Sequence, residues 1–214
     1  MKKLDRSFYI RLCAISLTLA SFNSARATDL DVTINTTAID GTSGTLVFDL
    51  ISGGNSTSNT ATISAFSSDG TLGAVTPQGD EIGSLPGTAT LDTNSTFFNE
   101  LAQNITYGTQ ISFDLNFTQN GPDPTGSPDT FSFFLLNSSG NPIPTTTDPS
   151  GGNALFLFNI DGTDTGNLNI YTSLDLPITW QATPIVSSVP EPSVIGLLTI
   201  GLMGVKLTAR KQRS

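Results

Sequence analysis

The 214-residue sequence contains no histidine, one cysteine and one tryptophan, and its basic residues are confined to its two ends. Lys2, Lys3, Arg6, Arg11, Arg26, Lys206, Arg210, Lys211 and Arg213 are all nine of the Lys and Arg residues, and none lies within residues 28–189. Of the 18 acidic residues only Asp5 and Glu191 lie outside that span, which leaves 16 within it and a formal charge of −16. Nucleic-acid affinity comes mainly from Lys and Arg contacts to phosphate, so polynucleotide binding is excluded for the body of the chain. Attraction to an anionic membrane surface is excluded for the same reason, apart from the basic C-terminal end. Catalysis with a histidine base, thiol or Schiff-base chemistry, and His- or Cys-ligated zinc each lack a required side chain. With Cys13 outside the body there is no disulfide either, so packing alone must stabilise its 162 residues. A domain of that length buries about 70% of its unfolded surface, which is sufficient without staples.

Long hydrophobic runs are scarce as well. Near the N-terminus, Lys2, Lys3, Arg6 and Arg11 precede the apolar stretch Leu12 to Ala20, followed by Ala25-Arg26-Ala27. A basic region, a short apolar region and an A-x-A site make a secretory signal peptide, residues 1–27, cut after Ala27. The apolar stretch is far shorter than the ~20 residues of a spanning helix. Cys13 follows Arg11-Leu12 rather than the small residues of a lipid-attachment site, and is removed with the signal.

What the body does contain is period-two alternation. In Gln110 to Thr118, Ile111, Phe113, Leu115 and Phe117 point one way and Ser112, Asp114 and Asn116 the other, the pattern of a half-buried strand. Similar runs are Leu30 to Thr36, Gly44 to Ile51, Thr60 to Phe66, Thr88 to Leu91, Thr130 to Asn137, Asn153 to Ile160, Leu168 to Ser173 and Ile178 to Ala182. Asp40-Gly41, Asp69-Gly70, Ser139-Gly140-Asn141 and Asp161-Gly162 supply turns between them. Short strands at this spacing, without a long 3.6-period segment, predict an all-β fold: an antiparallel β-sandwich, jelly-roll-like, over residues 28–183. One or two helical turns are expected at Ser95 to Asn104, where Phe97, Phe98 and Leu101 share a helical face and Ser95 can cap.

Residues 184–193 read as a linker containing Pro190-Glu191-Pro192, and residues 194–209 as a single hydrophobic helix. Val194 to Val205 is apolar, and extension past Lys206 to Ala209 gives roughly 24 Å of helix against a hydrocarbon core of about 30 Å. Lys206 can snorkel, and with Arg210, Lys211 and Arg213 it would hold the end of the chain, residues 210–214, in the cytoplasm. The two prolines fix φ and withhold amide donors, keeping the segment just outside the membrane extended. A single-pass tail anchor is one reading. The ordered succession of Pro190-Glu191-Pro192, a Gly-containing apolar run and a basic end also resembles the PEP-CTERM sorting signal of Gram-negative and cyanobacterial surface proteins. That resemblance implies an exported protein, transiently anchored in the inner membrane, recognised by an exosortase-type sorting protease and linked to extracellular polysaccharide and biofilm. Thr36 to Leu46, Ser67 to Gly73, Gly83 to Thr88 and Ile111 to Leu115 are similar to a PEP-CTERM-associated ectodomain of unknown function, to which no catalytic residues are assigned.

Carboxylates, hydroxyls, amides and backbone remain for chemistry. A hydrolase would have to pair carboxylates as glycoside hydrolases do, and Glu81 and Glu100 are the only glutamates in the body. No cofactor is required by the sequence, but calcium fits the oxygen ligands of Asp123, Asp129, Asp161 and Asp164, although their spacing is not that of an EF-hand loop. These are equally ordinary Asp turns. Sugar could stack on Trp180 or Tyr171, with Tyr107 behind them, although alternation in Ile178 to Ala182 makes Trp180 a core residue. Ser and Thr make up 46 of the 162 body residues, and sequons stand at Asn35, Asn55, Asn94, Asn104, Asn116 and Asn137. In an exported bacterial chain these reflect composition, with O-linked decoration an alternative. The reading that unites these features is a non-enzymatic surface or extracellular-matrix protein; a carbohydrate- or calcium-binding module is the alternative, and a carboxylate-dependent hydrolase the third.

Overall fold

The computed structural model describes residues 27–163 and 166–185. Among them the chain forms strands β1 (Ala27–Asn35), β2 (Ser43–Ile51), β3 (Thr60–Ser68), β4 (Thr71–Gln78), β5 (Glu81–Gly83), β6 (Ala89–Asp92), β7 (Phe98–Thr106), β8 (Gln110–Thr118), β9 (Asp129–Asn137), β10 (Phe156–Ile160), β11 (Asn167–Ile170) and β12 (Thr179–Ile185). A three-residue 3-10 turn at Thr37–Ile39 is the only helical segment among the described residues. The strands form two six-stranded sheets, ordered β12-β1-β8-β3-β6-β5 and β11-β10-β9-β2-β7-β4. β1 pairs antiparallel with β8, β2 with β7, and β3 with β6, so six of the first eight strands form nested pairs divided between the sheets, while β4 adds to β7 and β5 to β6.

Alternation explains why these segments pair as they do. Leu30, Val32 and Ile34 of β1, Leu46, Phe48 and Leu50 of β2, and Ile111, Phe113, Leu115 and Phe117 of β8 are buried on the shared inner face. Aromatic rings join the two sheets: Phe48 of β2 meets Phe113 of β8 edge-on at 5.3 Å, and Phe117 of β8 stacks on Phe158 of β10 at 4.3 Å. Each such contact adds about 0.5–1.5 kcal/mol beyond the area it buries. In β3 the inward series Ala61, Ile63 would put residue 65 in the core, but the register shifts between Ser64 and Ser67. Ala65 takes a left-handed conformation, φ 51°, and this bulge turns Phe66 inward instead.

The segment expected to form helical turns is the strand β7. Asn99, Leu101, Gln103 and Ile105 face inward, so its period is two, and the polar Asn99 and Gln103 disguise the alternation. Asn99 Nδ2 donates to the Leu50 carbonyl at 3.2 Å and Gln103 Nε2 to the Gly73 carbonyl at 2.7 Å, although Gln103 Oε1 is buried without a partner. β4 and β5 were not anticipated. The bulge between Leu72 and Val75 spaces their apolar side chains by three, and the strand is an exposed sheet edge containing Pro77.

Tyr107, 1% exposed, fills the core next to Gly44. Its hydroxyl lies 3.0 Å from the Thr45 carbonyl and 2.9 Å from that of Leu136, and burial pushes the phenol above its ordinary pKa despite these bonds. A Cβ on Gly44 would overlap the Tyr107 ring and the Leu136 carbonyl oxygen. Gly44→Ala is therefore expected to cost about 2 kcal/mol through strain, read as a lower thermal midpoint, whereas Gly140→Asn, at φ 76° in an open turn, should cost much less.

Candidate functional site

The carboxylates expected to ligate a cation are placed for a different task. Asp129 opens β9 with 1% exposure. Its Oδ1 accepts hydrogen bonds from the Gly53 N–H at 2.7 Å and from Asn55 Nδ2 at 3.2 Å, and its Oδ2 from Asn59 Nδ2 and Thr93 Oγ1 at 3.0 Å each. Donors, not oxygen ligands, surround it, so its lone pairs are spent inside the protein. Asp123 accepts from the Ser56 N–H at 2.9 Å and Oγ at 2.8 Å, and its own N–H donates to Asn55 Oδ1 at 3.0 Å. Asn55 thus bridges Asp123 and Asp129. Asp161 accepts from the N–H and hydroxyl of Thr163 within its own turn, and Asp164 lies outside the described residues. Among the described residues no three acidic side chains converge as a metal site. Asp129→Asn would turn an NH2 group toward donors and is expected to destabilise by about 3 kcal/mol, or roughly 10 °C in Tm, measured by calorimetry.

Glu81 and Glu100 do not form a pair on one sheet. Glu81 sits in β5 opposite Leu91, where burial raises its pKa and leaves Oε1 without a hydrogen-bond partner. Glu100, in the other sheet, lies directly opposite Asp49 on β2. Burial first, then the charge of Glu100 and a hydrogen bond to it, push Asp49 up to about 7, and Asp49 Oδ1 is buried without a partner. Asp49 therefore binds a proton more tightly folded than unfolded. The stabilisation is fully present below its ordinary value near 4 and is lost as pH rises through 7. Asp69 acts oppositely: hydrogen bonds from the Thr109 hydroxyl and the Gln110 N–H hold it near 2, so its contribution disappears only in stronger acid. Thermal stability should fall between about pH 5 and pH 8, and Asp49→Asn should flatten that dependence, as followed by melting in a pH series.

Trp180 donates its indole N–H to the Leu155 carbonyl at 2.9 Å and packs against the hydrophobic core. The side chain is half-buried, at the inward position that alternation gives it between Ile178 and Ala182. Tyr171 is half-buried, its phenol raised by burial and by the charge of Asp148. Tyr107 lies within the core. Tyr171 and Trp180 meet at one carbonyl, since the Tyr171 N–H also donates to Leu155 O at 3.0 Å, whereas Tyr107 is remote from solvent.

The surface does contain a groove of about 360 Å³ where β4, β7 and β2 meet the turn after β9. Thr71 pairs with Thr106, Thr106 with Ser43, and Ser138 follows Asn137, the partner of Gly44. A row of three hydroxyl residues therefore crosses the sheet at strand spacing, about 4.8 Å per step, with Ser138 following on the turn. Beside it stand Asn104 and Thr45, whose hydroxyl donates to Asn104 Oδ1 at 3.2 Å, and Gly73, which leaves the Asn104 side chain uncovered. None of the lining residues is charged. A second groove of about 250 Å³, containing Asp69, lies near the β3–β4 turn. Sequence reasoning missed the first groove because its residues come from four separate segments, each an ordinary outward Ser or Thr of a strand or turn.

The sorting residues belong to the tail. Pro190, Glu191, Pro192, Lys206, Arg210, Lys211 and Arg213 lie outside the described residues, as does Ala25, whereas Ala27 opens β1 opposite Thr118. Residues 188–213 match the family model described as the PEP-CTERM protein-sorting motif. The chain carries a PEP-CTERM sorting signal. The match falls on Pro190-Glu191-Pro192, the apolar run and the basic end, and does not extend into the Thr36 to Leu115 stretches that resemble an associated ectodomain. No curated protein and no solved structure matches the chain. The PEP-CTERM signal supports export, a cell-surface location and recognition by exosortase-type machinery. No helix among the described residues is long and apolar enough to cross a membrane, so the spanning segment expected at 194–209 rests on its sequence alone.

Proposed function

We propose that the protein is a non-enzymatic component of the cell surface or extracellular matrix, delivered by its PEP-CTERM signal after removal of an N-terminal signal peptide. The observation that carries this reading is the motif at residues 188–213, attached to a folded body whose side-chain inventory omits every basic residue. Residues 194–209 serve as a transient inner-membrane anchor with Lys206, Arg210, Lys211 and Arg213 as its stop. Pro190, Glu191 and Pro192 present the peptide that the sorting protease reads.

The folded body supports a passive, displayed role. Asp69, Asp123 and Asp129 are engaged by N–H and O–H donors, and the expected pair Glu81 and Glu100 is divided between the two sheets. The nested pairing of β1 with β8, β2 with β7 and β3 with β6 supports a jelly-roll winding for the first eight strands. A body of −16 covered with hydroxyls stays hydrated and repels its copies at low salt, as a dispersed matrix protein must. An association with extracellular polysaccharide fits this surface.

The test is cell fractionation in the native host. Pro190→Ala combined with Glu191→Ala is expected to shift the protein from the surface and medium to the inner membrane, without changing the melting of the folded body. Unaltered distribution of that variant would contradict sorting through the motif.

A further inference from the structure

We infer that the groove bordered by Thr71, Thr106, Ser43, Ser138, Asn104 and Thr45 is a binding site for an uncharged, linear, hydroxyl-rich polymer, a neutral glycan. The inference deepens the reading of a surface protein and rests on the body being exposed to polymer outside the cell.

The groove differs from the rest of the body in charge. Residues 28–189 contain 16 carboxylates and no base, yet none of the residues lining these 360 Å³ is ionisable. A cation finds no carboxylate in the lining and an anion finds no positive charge, so ionic ligands gain nothing there. What the site offers is hydrogen bonding. The hydroxyls of Ser43, Thr71, Thr106 and Ser138 have no hydrogen bond within the described residues, and Asn104 engages only its Oδ1, with Thr45, which leaves both Nδ2 hydrogens for a ligand. Hydroxyls can donate or accept as the ligand requires, and the amide supplies a fixed donor. Such a set is matched by vicinal sugar hydroxyls.

The placement is also linear. Thr71, Thr106 and Ser43 are direct cross-strand partners at steps of about 4.8 Å, and Ser138 follows on the turn just after Asn137, the partner of Gly44. A step of that size is close to the repeat of a chain of pyranose rings, so one polymer running across the strands can meet successive hydroxyls with successive sugars. Gly73 keeps the trough open, because a Cβ there would lie 3.1 Å from Asn104 Cβ. The side-chain rows are held by the β2–β7 and β4–β7 ladders and need no rearrangement on binding.

Native gels containing dextran, galactomannan or xyloglucan, with alginate as the charged control, test the site using the exported protein purified from its host. Retardation by at least one neutral polymer and none by alginate is expected. The variant Thr71→Val/Thr106→Val/Ser138→Ala, which keeps side-chain shape on the strands, should lose at least tenfold in affinity at unchanged Tm. Ser138→Ala alone, on a turn, should lose about threefold and guards against a folding defect in the triple variant. No retardation by any neutral polymer, equal retardation of the variants, or retardation by alginate alone would overturn the proposal. Normal surface location with no retardation would remove the groove's role and leave sorting intact, whereas loss of surface location in the motif variant bears on sorting only.

Discussion

The fold depends on holding carboxylates without any cation. In most acidic domains Lys and Arg offset negative charge; between residues 28 and 189 there are none. Each carboxylate here must be solvated, hydrogen-bonded to neutral donors or protonated. Asp129 illustrates the second solution, with four donors converging on a side chain that is 1% exposed. Asp49 illustrates the third, since burial beside Glu100 favours its neutral form. Hydrogen bonds to a charged group are each worth about 1.5–3 kcal/mol, so the Asp129 cluster can hold the β2–β3 loop, the start of β3 and the segment after β6 against β9.

The same constraint shapes the surface. Cross-strand acids occur on both sheets, Asp31 opposite Asp114 in one and Asp49 opposite Glu100 in the other, where like charges ordinarily weaken pairing. The sandwich tolerates them because its core is rich in phenylalanine, with Phe48, Phe113, Phe117, Phe131, Phe133, Phe156 and Phe158 fully buried. Aromatic packing supplies the stability that ion pairs and disulfides do not. Apart from a few exposed apolar side chains such as Ile82, Phe97 and Leu174, what remains outside is mostly hydroxyl, amide and carboxylate, a chemistry suited to hydration and to uncharged polar ligands.

Much of the architecture was legible in period two. β8 alternates without exception and β2 departs from alternation only at Val47 and Ile51, and the inward residues of both are those found in the core. β7 was not legible as a strand because Asn99 and Gln103 occupy inward positions, and Phe97, Phe98 and Leu101 mimic helical spacing. β4 was lost to its bulge. Asp129 reads by residue type as a calcium ligand, yet alternation through Phe131 and Phe133 puts it on the buried face. The sorting signal was readable because it is linear, a short motif in a fixed order at the tail. The groove was not, because strands far apart in sequence bring its hydroxyls together only after pairing.

A cation-free body is joined to a tail that carries a sorting signal, and the mass of the mature protein tests that union most directly. Intact mass spectrometry of the cell-surface and medium fractions from the native host should find a chain beginning at Thr28 and ending near Pro190-Glu191-Pro192, with or without attached sugar. A surface protein that retains Ser214 would contradict it, since the tail would then be a permanent anchor and the PEP-CTERM sequence an unprocessed one.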